Sequence, residues 1–270
     1  PMYVSLLTNV LNALFSGLGI YAFQLGIVGV ALGTVLARLV GVVILWRELD
    51  LPTIRWSWGL DGELLRLSLP AAGERLMMRA GDVVIIAIVV VFGTDAVAGN
   101  AIGEVLTQFN YMPAFGVATA TVMLVAHAVG EGDMQAVGLI RQRAFWLSFA
   151  CMLPLALGIF ALGRPLTLLY TDNSGAITAS LSVIFFSLLG TPMAAGTVIY
   201  TAVWQGLGNA RLPFYATTIG MWLIRIISGY LLGVTFGLGL PGVWAGTLLD
   251  NGFRWLFLKV LYDRKMREIT

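Results

Sequence analysis

The sequence predicts an all-α membrane protein, a polytopic bundle of about eight transmembrane helices arranged as two helices plus a six-helix lobe. Three observations carry this. First, 59% of the 270 residues are hydrophobic and only 11% are charged, against roughly 25% charged in a soluble domain. So few charges cannot cover a water-facing surface, whereas lipid tails accept apolar side chains all round a bundle. Second, the apolar residues fall into runs of about 20 or more, the length that crosses the hydrocarbon. Third, Lys and Arg in the connections fall almost entirely on alternate ones, and so on one side.

The spans are expected at 3–22, 25–47, 67–92, 98–127, 143–163, 177–206, 213–236 and 240–261. With the segment between spans two and three on the cytoplasmic side, that side carries Arg47, Arg55, Arg66, Arg141, Arg143, Arg211, Lys259, Arg264, Lys265 and Arg267. The other side carries Arg164 alone. The expectation is a multi-pass protein of the cell inner membrane, with the first residue and the C-terminus cytoplasmic. Residues 48–59 form the longest polar segment, and Trp56 and Trp58 suit a linker lying at headgroup level. The expected organisation is therefore 1–47, two helices; 48–66, a cytoplasmic linker; 67–270, a six-helix lobe.

Net charge is +2, with no basic patch interleaved with aromatics, so no nucleic-acid partner is expected. One cysteine, Cys151, excludes an internal disulfide framework. Its apolar run predicts a packing role. One histidine, His127, leaves little for histidine-based metal chemistry, and no metal site is expected.

Spans one and two resemble spans seven and eight. Gly26, Gly29, Gly33 and Thr34 recur as Gly239, Gly242, Gly246 and Thr247, each 213 positions later. The openings, Pro1-Met2-Tyr3 and Pro213-Phe214-Tyr215, match with a one-residue slip. Glycines four apart let helix backbones approach closely. Both copies start on the same side of the membrane, so the repeat is parallel, a transporter hallmark. It predicts that the chain, opening at Pro1-Met2 inside a span, is a fragment with four helices of an N-terminal lobe upstream.

Ionisable groups inside a span are costly and are functional candidates by default. Span three carries Glu74, Arg75, Arg79 and Asp82. Arg79 and Asp82, three apart, can pair with each other. Glu74 has Met77 and Met78 at i+3 and i+4 and no cation on its own helical face. A carboxyl so placed can exchange a proton or hold Na⁺ through its oxygens; an interhelical partner such as Arg225 or Arg75 is the alternative. Span four presents Glu104, Gln108, Tyr111 and Phe115 on one face, with Pro113 expected to kink it. That stripe suits a cavity wall or plain helix–helix hydrogen bonding. Span six places Thr197, Tyr200, Thr201 and Trp204 on one face, with Pro192 as a break. Arg225 on span seven and Asp250 on span eight are expected to bridge. The cavity candidates are thus Met78, Arg79, Asp82, Glu104, Gln108, Tyr111, Tyr200, Trp204 and Arg225.

The run Tyr111-Met112-Pro113-Ala114-Phe115-Gly116, continuing to Gly130-Glu131-Gly132-Asp133, resembles multidrug and toxic compound extrusion (MATE) transporters. So do Gln205-Gly206-Leu207-Gly208-Asn209-Ala210-Arg211, the arginine-bearing Trp222-Leu223-Ile224-Arg225-Ile226, and Leu69-Pro70-Ala71-Ala72-Gly73-Glu74. The resemblance implies twelve helices in two six-helix lobes, this chain being the last two helices of the N-lobe plus the C-lobe. It also implies a monomer that exports small organic cations or amphiphiles in exchange for H⁺ or Na⁺, with no other cofactor and with Glu74 coupling the ion. Some members carry a second acid on the helix matching span six; here that span has none.

Two other readings remain open. A flippase for lipid-linked oligosaccharide or polysaccharide shares the superfamily, and Arg75 and Arg79 would suit a phosphate-bearing substrate. Gly130-Glu131-Gly132-Asp133 also matches the Gly-x-Gly-Asp pattern of intramembrane aspartyl proteases, but Asp133 sits at a helix end and no Tyr-Asp partner lies mid-span, Tyr262-Asp263 being terminal too.

Overall fold

The computed structural model describes residues 2–48 and 62–269. The chain divides into two compact units, residues 1–59 and 60–270. The first holds α1 (Met2–Tyr21) and α2 (Gly26–Glu48). The second holds α3 (Gly62–Val90), α4 (Thr94–Gly130), α5 (Met134–Ala161), α6 (Gly163–Leu168), α7 (Ser174–Gly206), α8 (Arg211–Ile219), α9 (Ile226–Tyr230) and α10 (Leu240–Ile269). There is no strand among the described residues.

α8 and α9 belong to one rod, Arg211–Thr235, joined and ended by two π-helical turns, Gly220–Arg225 and Leu231–Thr235. In these turns the Ile226 N–H donates to the Met221 carbonyl and the Phe236 N–H to the Leu231 carbonyl, five residues back. Counting that rod as one, eight long helices match the eight expected spans. Six of them, α1, α2, α4, α5, α7 and the Arg211–Thr235 rod, are long and apolar enough to cross a bilayer by length and composition. α3 and α10 are long enough but carry Glu74, Arg75, Arg79 and Asp82, and Asp250, Arg254 and Lys259. α6 is an addition that no periodicity announced. α3 begins at Gly62, inside the expected linker; Arg55, Trp56 and Trp58 lie outside the described residues.

α7 is the axis of the second unit. It packs along α4, α5 and α10, and its buried side chains reach all three apolar clusters. It runs through Pro192 without interruption, so the expected break there is absent; packing on several sides holds the helix despite the missing N–H. Pro113 likewise lies inside a continuous α4. Cys151 is exposed while its neighbour Met152 is fully buried, which corrects the expected packing role. In a run that is apolar all round, the pattern does not say which face is inward.

Two of the resembling motifs become turns. Gly132 (φ 77°) ends α4, and the Asp133 side chain then caps α5 by accepting from the Ala136 N–H at 2.8 Å. Gly208 (φ 76°) ends α7, and the Asn209 side-chain Oδ1 accepts from the Arg211 N–H at 3.2 Å. Glycine supplies the left-handed residue and Asp or Asn the cap. The Asp133 carboxylate is thus a helix cap at a helix-to-helix turn.

The repeat is visible in the backbone. A Cβ on Gly33 would lie 2.7 Å from the Ser16 nitrogen, and one on Gly246 would lie 2.8 Å from the Gly229 nitrogen. Gly29 meets Gly19 as Gly242 meets Leu232 and Gly233. Ser16 and Gly229, like Gly19 and Leu232, are again 213 positions apart. Gly246→Leu should therefore lower the detergent melting temperature, since overpacking a close backbone contact costs about 1–3 kcal/mol. An unchanged melting temperature would show that the contact is dispensable.

Candidate functional site

Charges that cannot reach water must be matched inside the helices, and the second unit does this where α3, the first π turn and α10 meet. On α10, Arg254 Nη2 stands 2.8 Å from Asp250 Oδ2, with side-chain exposures of 6% and 0%. Arg254 also donates to Asn251 Oδ1 at 3.2 Å and reaches Met78 Sδ on α3 at 3.9 Å. Gly220 makes this possible, because a Cβ there would collide with Asp250 Oδ1 and lie 2.8 Å from Arg254 Cγ. π turns recur at functional positions, and this one brings its glycine against the buried ion pair.

The same π turn ends at Arg225. Its Nη1 lies 3.4 Å from Asp82 on α3, and its Nε donates to Thr247 Oγ1 on α10 at 3.0 Å. Asp82 also faces Arg79 at 3.6 Å. The expected Arg225–Asp250 bridge is therefore not formed: Arg225 takes Asp82, and Asp250 takes Arg254. Asp250 and Arg254 are i, i+4 on one helix and meet without any interhelical reach.

Glu74 is left without an ion-pair partner within 4.0 Å among the described residues. Its carboxylate accepts from Thr217 Oγ1 at 3.2 Å and, more weakly, from Gln205 Nε2 at 3.5 Å. Arg254 and Arg75 are the cations whose field reaches it. Neutral donors orient this group without cancelling its charge.

The other predicted residues separate into two groups. Glu104 and Gln108 lie on the exposed face of α4, with Tyr111 half-buried beside them. Glu104 accepts from Asn100 Nδ2 at 3.1 Å. The helix-to-helix hydrogen bonds of α4 come instead from Asn110 to Thr191 at 3.2 Å and from Trp244 to Asn100 at 2.9 Å. Arg79 points outward, its side chain 85% exposed. Tyr200 and Trp204 are core residues: Arg141 donates to the Tyr200 hydroxyl at 2.6 Å, and the Trp204 indole donates to the Leu258 carbonyl at 3.1 Å. They do not join the Glu74 cluster.

Arg254, Thr217, Gln205 and Gly220 were missed from the sequence. Arg254 had a signal, the i, i+4 spacing from Asp250; the other three had none, since only the fold brings them together. Arg254→Met should leave Asp250 buried without a counter-charge and cost about 3–5 kcal/mol. A double variant with Asp250→Leu should recover most of that loss. Thermal melts in detergent check both; a double variant as unstable as the single one would show that the charge itself is not the cause.

Comparison with known proteins agrees with this architecture. A probable multidrug resistance protein NorM of Thermotoga maritima is 32% identical over 276 residues, covering 97% of this chain and 59% of its own length. A MOP superfamily transporter from Pyrococcus furiosus, described by the reversed polarity of its binding pocket, has the same fold, with a TM-score of 0.87 at 20% identity over 98% of this chain and 62% of its own. The MATE transporter ClbM in complex with Rb⁺ gives a TM-score of 0.82 at 23% identity, over 96% of this chain and 59% of its own. The chain thus spans about three-fifths of the length of these relatives. A family model described as MatE matches residues 70–231, and by that match the chain belongs to the MatE family.

Proposed function

We propose that the complete protein is a secondary active transporter of the inner membrane, exporting organic cations or amphiphilic drugs in exchange for H⁺ or Na⁺ by alternating access. The observation that carries this is Glu74. It is a half-buried carboxylate inside a helix of the bundle, held by a hydroxyl and an amide but by no ion pair among the described residues. An unmatched negative charge in a membrane protein calls for a mobile cation. A proton, a Na⁺ ion and a cationic substrate can each neutralise it, and only one at a time. Such competition couples uphill export to downhill entry, because each ligand favours the state the other disfavours. Thr217 Oγ1 supplies a further oxygen beside the carboxylate for Na⁺.

The exposed pair Glu104 and Gln108, with the half-buried Tyr111 beside them, supports the same reading. Carboxylate and amide groups on the outer face of a membrane helix are expensive against lipid, so this face suits a water-filled substrate path. Met78 beside Arg254 adds a polarisable surface of the kind that accepts varied ligands. Arg79, outward and basic, favours a second reading, a flippase for a phosphate-bearing lipid-linked saccharide.

The full-length protein in liposomes separates these readings. An imposed pH or Na⁺ gradient should drive uptake of an organic cation, and Glu74→Gln should reduce the initial rate at least tenfold at unchanged expression. Transport retained in Glu74→Gln would remove Glu74 from coupling. Scrambling of a lipid-linked oligosaccharide without cation uptake would favour the flippase.

A further inference from the structure

Away from Glu74, the second unit holds a cavity of about 310 Å³ between α5, α7 and α10. Arg141, Tyr200 and Lys259 line it together with an aromatic wall of Phe145, Trp146 and Trp255. The two sets are ordered along the membrane normal. Arg141 is one turn closer than Phe145 to the start of α5, and Lys259 is one turn closer than Trp255 to the end of α10. Those two helix ends lie on the same side of the bundle, the side that also carries Arg143, Arg264, Lys265 and Arg267. α5 has 28 residues, about 42 Å at 1.5 Å per residue, which matches the bilayer with its headgroup layers. The Arg141 Cα then sits about 10 Å inside the helix start, within a side chain's reach of the boundary between headgroups and hydrocarbon.

The chemistry of the lining is that of an amphiphile. Neither Arg141 nor Lys259 has a carboxylate within 4.0 Å among the described residues. Arg141 is held by neutral groups: the Tyr200 hydroxyl, the Tyr200 ring at 5.7 Å and the Tyr262 ring at 5.1 Å. It is positioned without a direct ion pair, although the charge of Asp263 on α10 acts on the same two tyrosines. Below the cations, Phe145 stacks on Trp255 with centroids 5.8 Å apart, and on Phe149 at 6.3 Å. Trp146 is 58% exposed, so the cavity opens on the surface of the lobe. Basic pockets between helices at this depth bind anionic headgroups, and aromatic rings at the interface pack against acyl chains.

We infer that this cavity binds an anionic glycerophospholipid of the surrounding leaflet. Arg141 and Lys259 take its phosphate, and Phe145, Trp146 and Trp255 line the path of an acyl chain. A free inorganic phosphate would satisfy the two cations but leave the aromatic wall unused, and a zwitterionic lipid would bring its own cation against Lys259.

Tryptophan quenching by brominated lipids tests this on the full-length protein in detergent micelles. At equal mole fraction, phosphatidylglycerol with brominated acyl chains should quench more than brominated phosphatidylcholine. The excess should fall in Trp146→Phe, an exposed position whose change leaves the core intact, with Trp255 carrying the remainder, and fall at least threefold in Lys259→Gln. Millimolar inorganic phosphate should leave it unchanged. Equal quenching by the two lipids, or an excess that survives Lys259→Gln, overturns the assignment. Displacement of the lipid by inorganic phosphate would overturn the lipid part and leave an anion site.

Discussion

The buried pair of Arg254 and Asp250 governs how the second unit can be put together. Taking two charges out of water costs several kcal/mol for each ion, and a close pairing does little more than repay it. The pair therefore contributes rotational setting more than net stability. α10 must turn its Asp250–Arg254 edge toward α3 and the π turn, and the rod must present the one residue, Gly220, that leaves room for the carboxylate. Arg225 then falls beside Asp82 and Thr247. With these contacts satisfied, the three helices are fixed in rotation and Glu74 is the carboxylate left over. Glu74 is thus singled out by subtraction: among the described acids of the cluster, Asp82 faces Arg225 and Asp250 faces Arg254.

Much of this was legible before any coordinates. Helix number and order followed from hydropathy, because a bilayer forces long apolar runs. The close glycine contacts followed from a repeat whose spacing never varies over four matched positions. Glu74 stood out because its own helical face carried no cation. Ion pairing was legible only within one helix. Arg79–Asp82 was anticipated from local spacing, whereas the partner of Arg225 depended on how α3 and the rod face each other. Tyr200 and Trp204 show a complementary limit. Aromatic and hydroxyl groups at helical spacing look the same whether they line a cavity or fill a core, and here Trp204 fills the core while Tyr200 lines the cavity beside Arg141. Gly-x-Gly-Asp likewise reads as chemistry in the sequence and proves to be a left-handed glycine followed by a cap.

The two π turns could not be anticipated at all. They leave hydropathy and composition untouched and alter only the number of residues per turn. Yet the first of them accounts for an irregularity already present in the repeat. From Ser16 and Gly229 onward the two copies run 213 positions apart, but Pro1 and Pro213, at their openings, are 212 apart. α1 is an unbroken α-helix, while its counterpart contains the π turn Gly220–Arg225 between those two points. A single inserted residue that a helix absorbs as one wide turn, instead of expelling it as a break, accounts for the difference. On that reading the extra residue that shifted the register of the second copy is the same event that swung a glycine toward α10 and opened the space its buried carboxylate occupies.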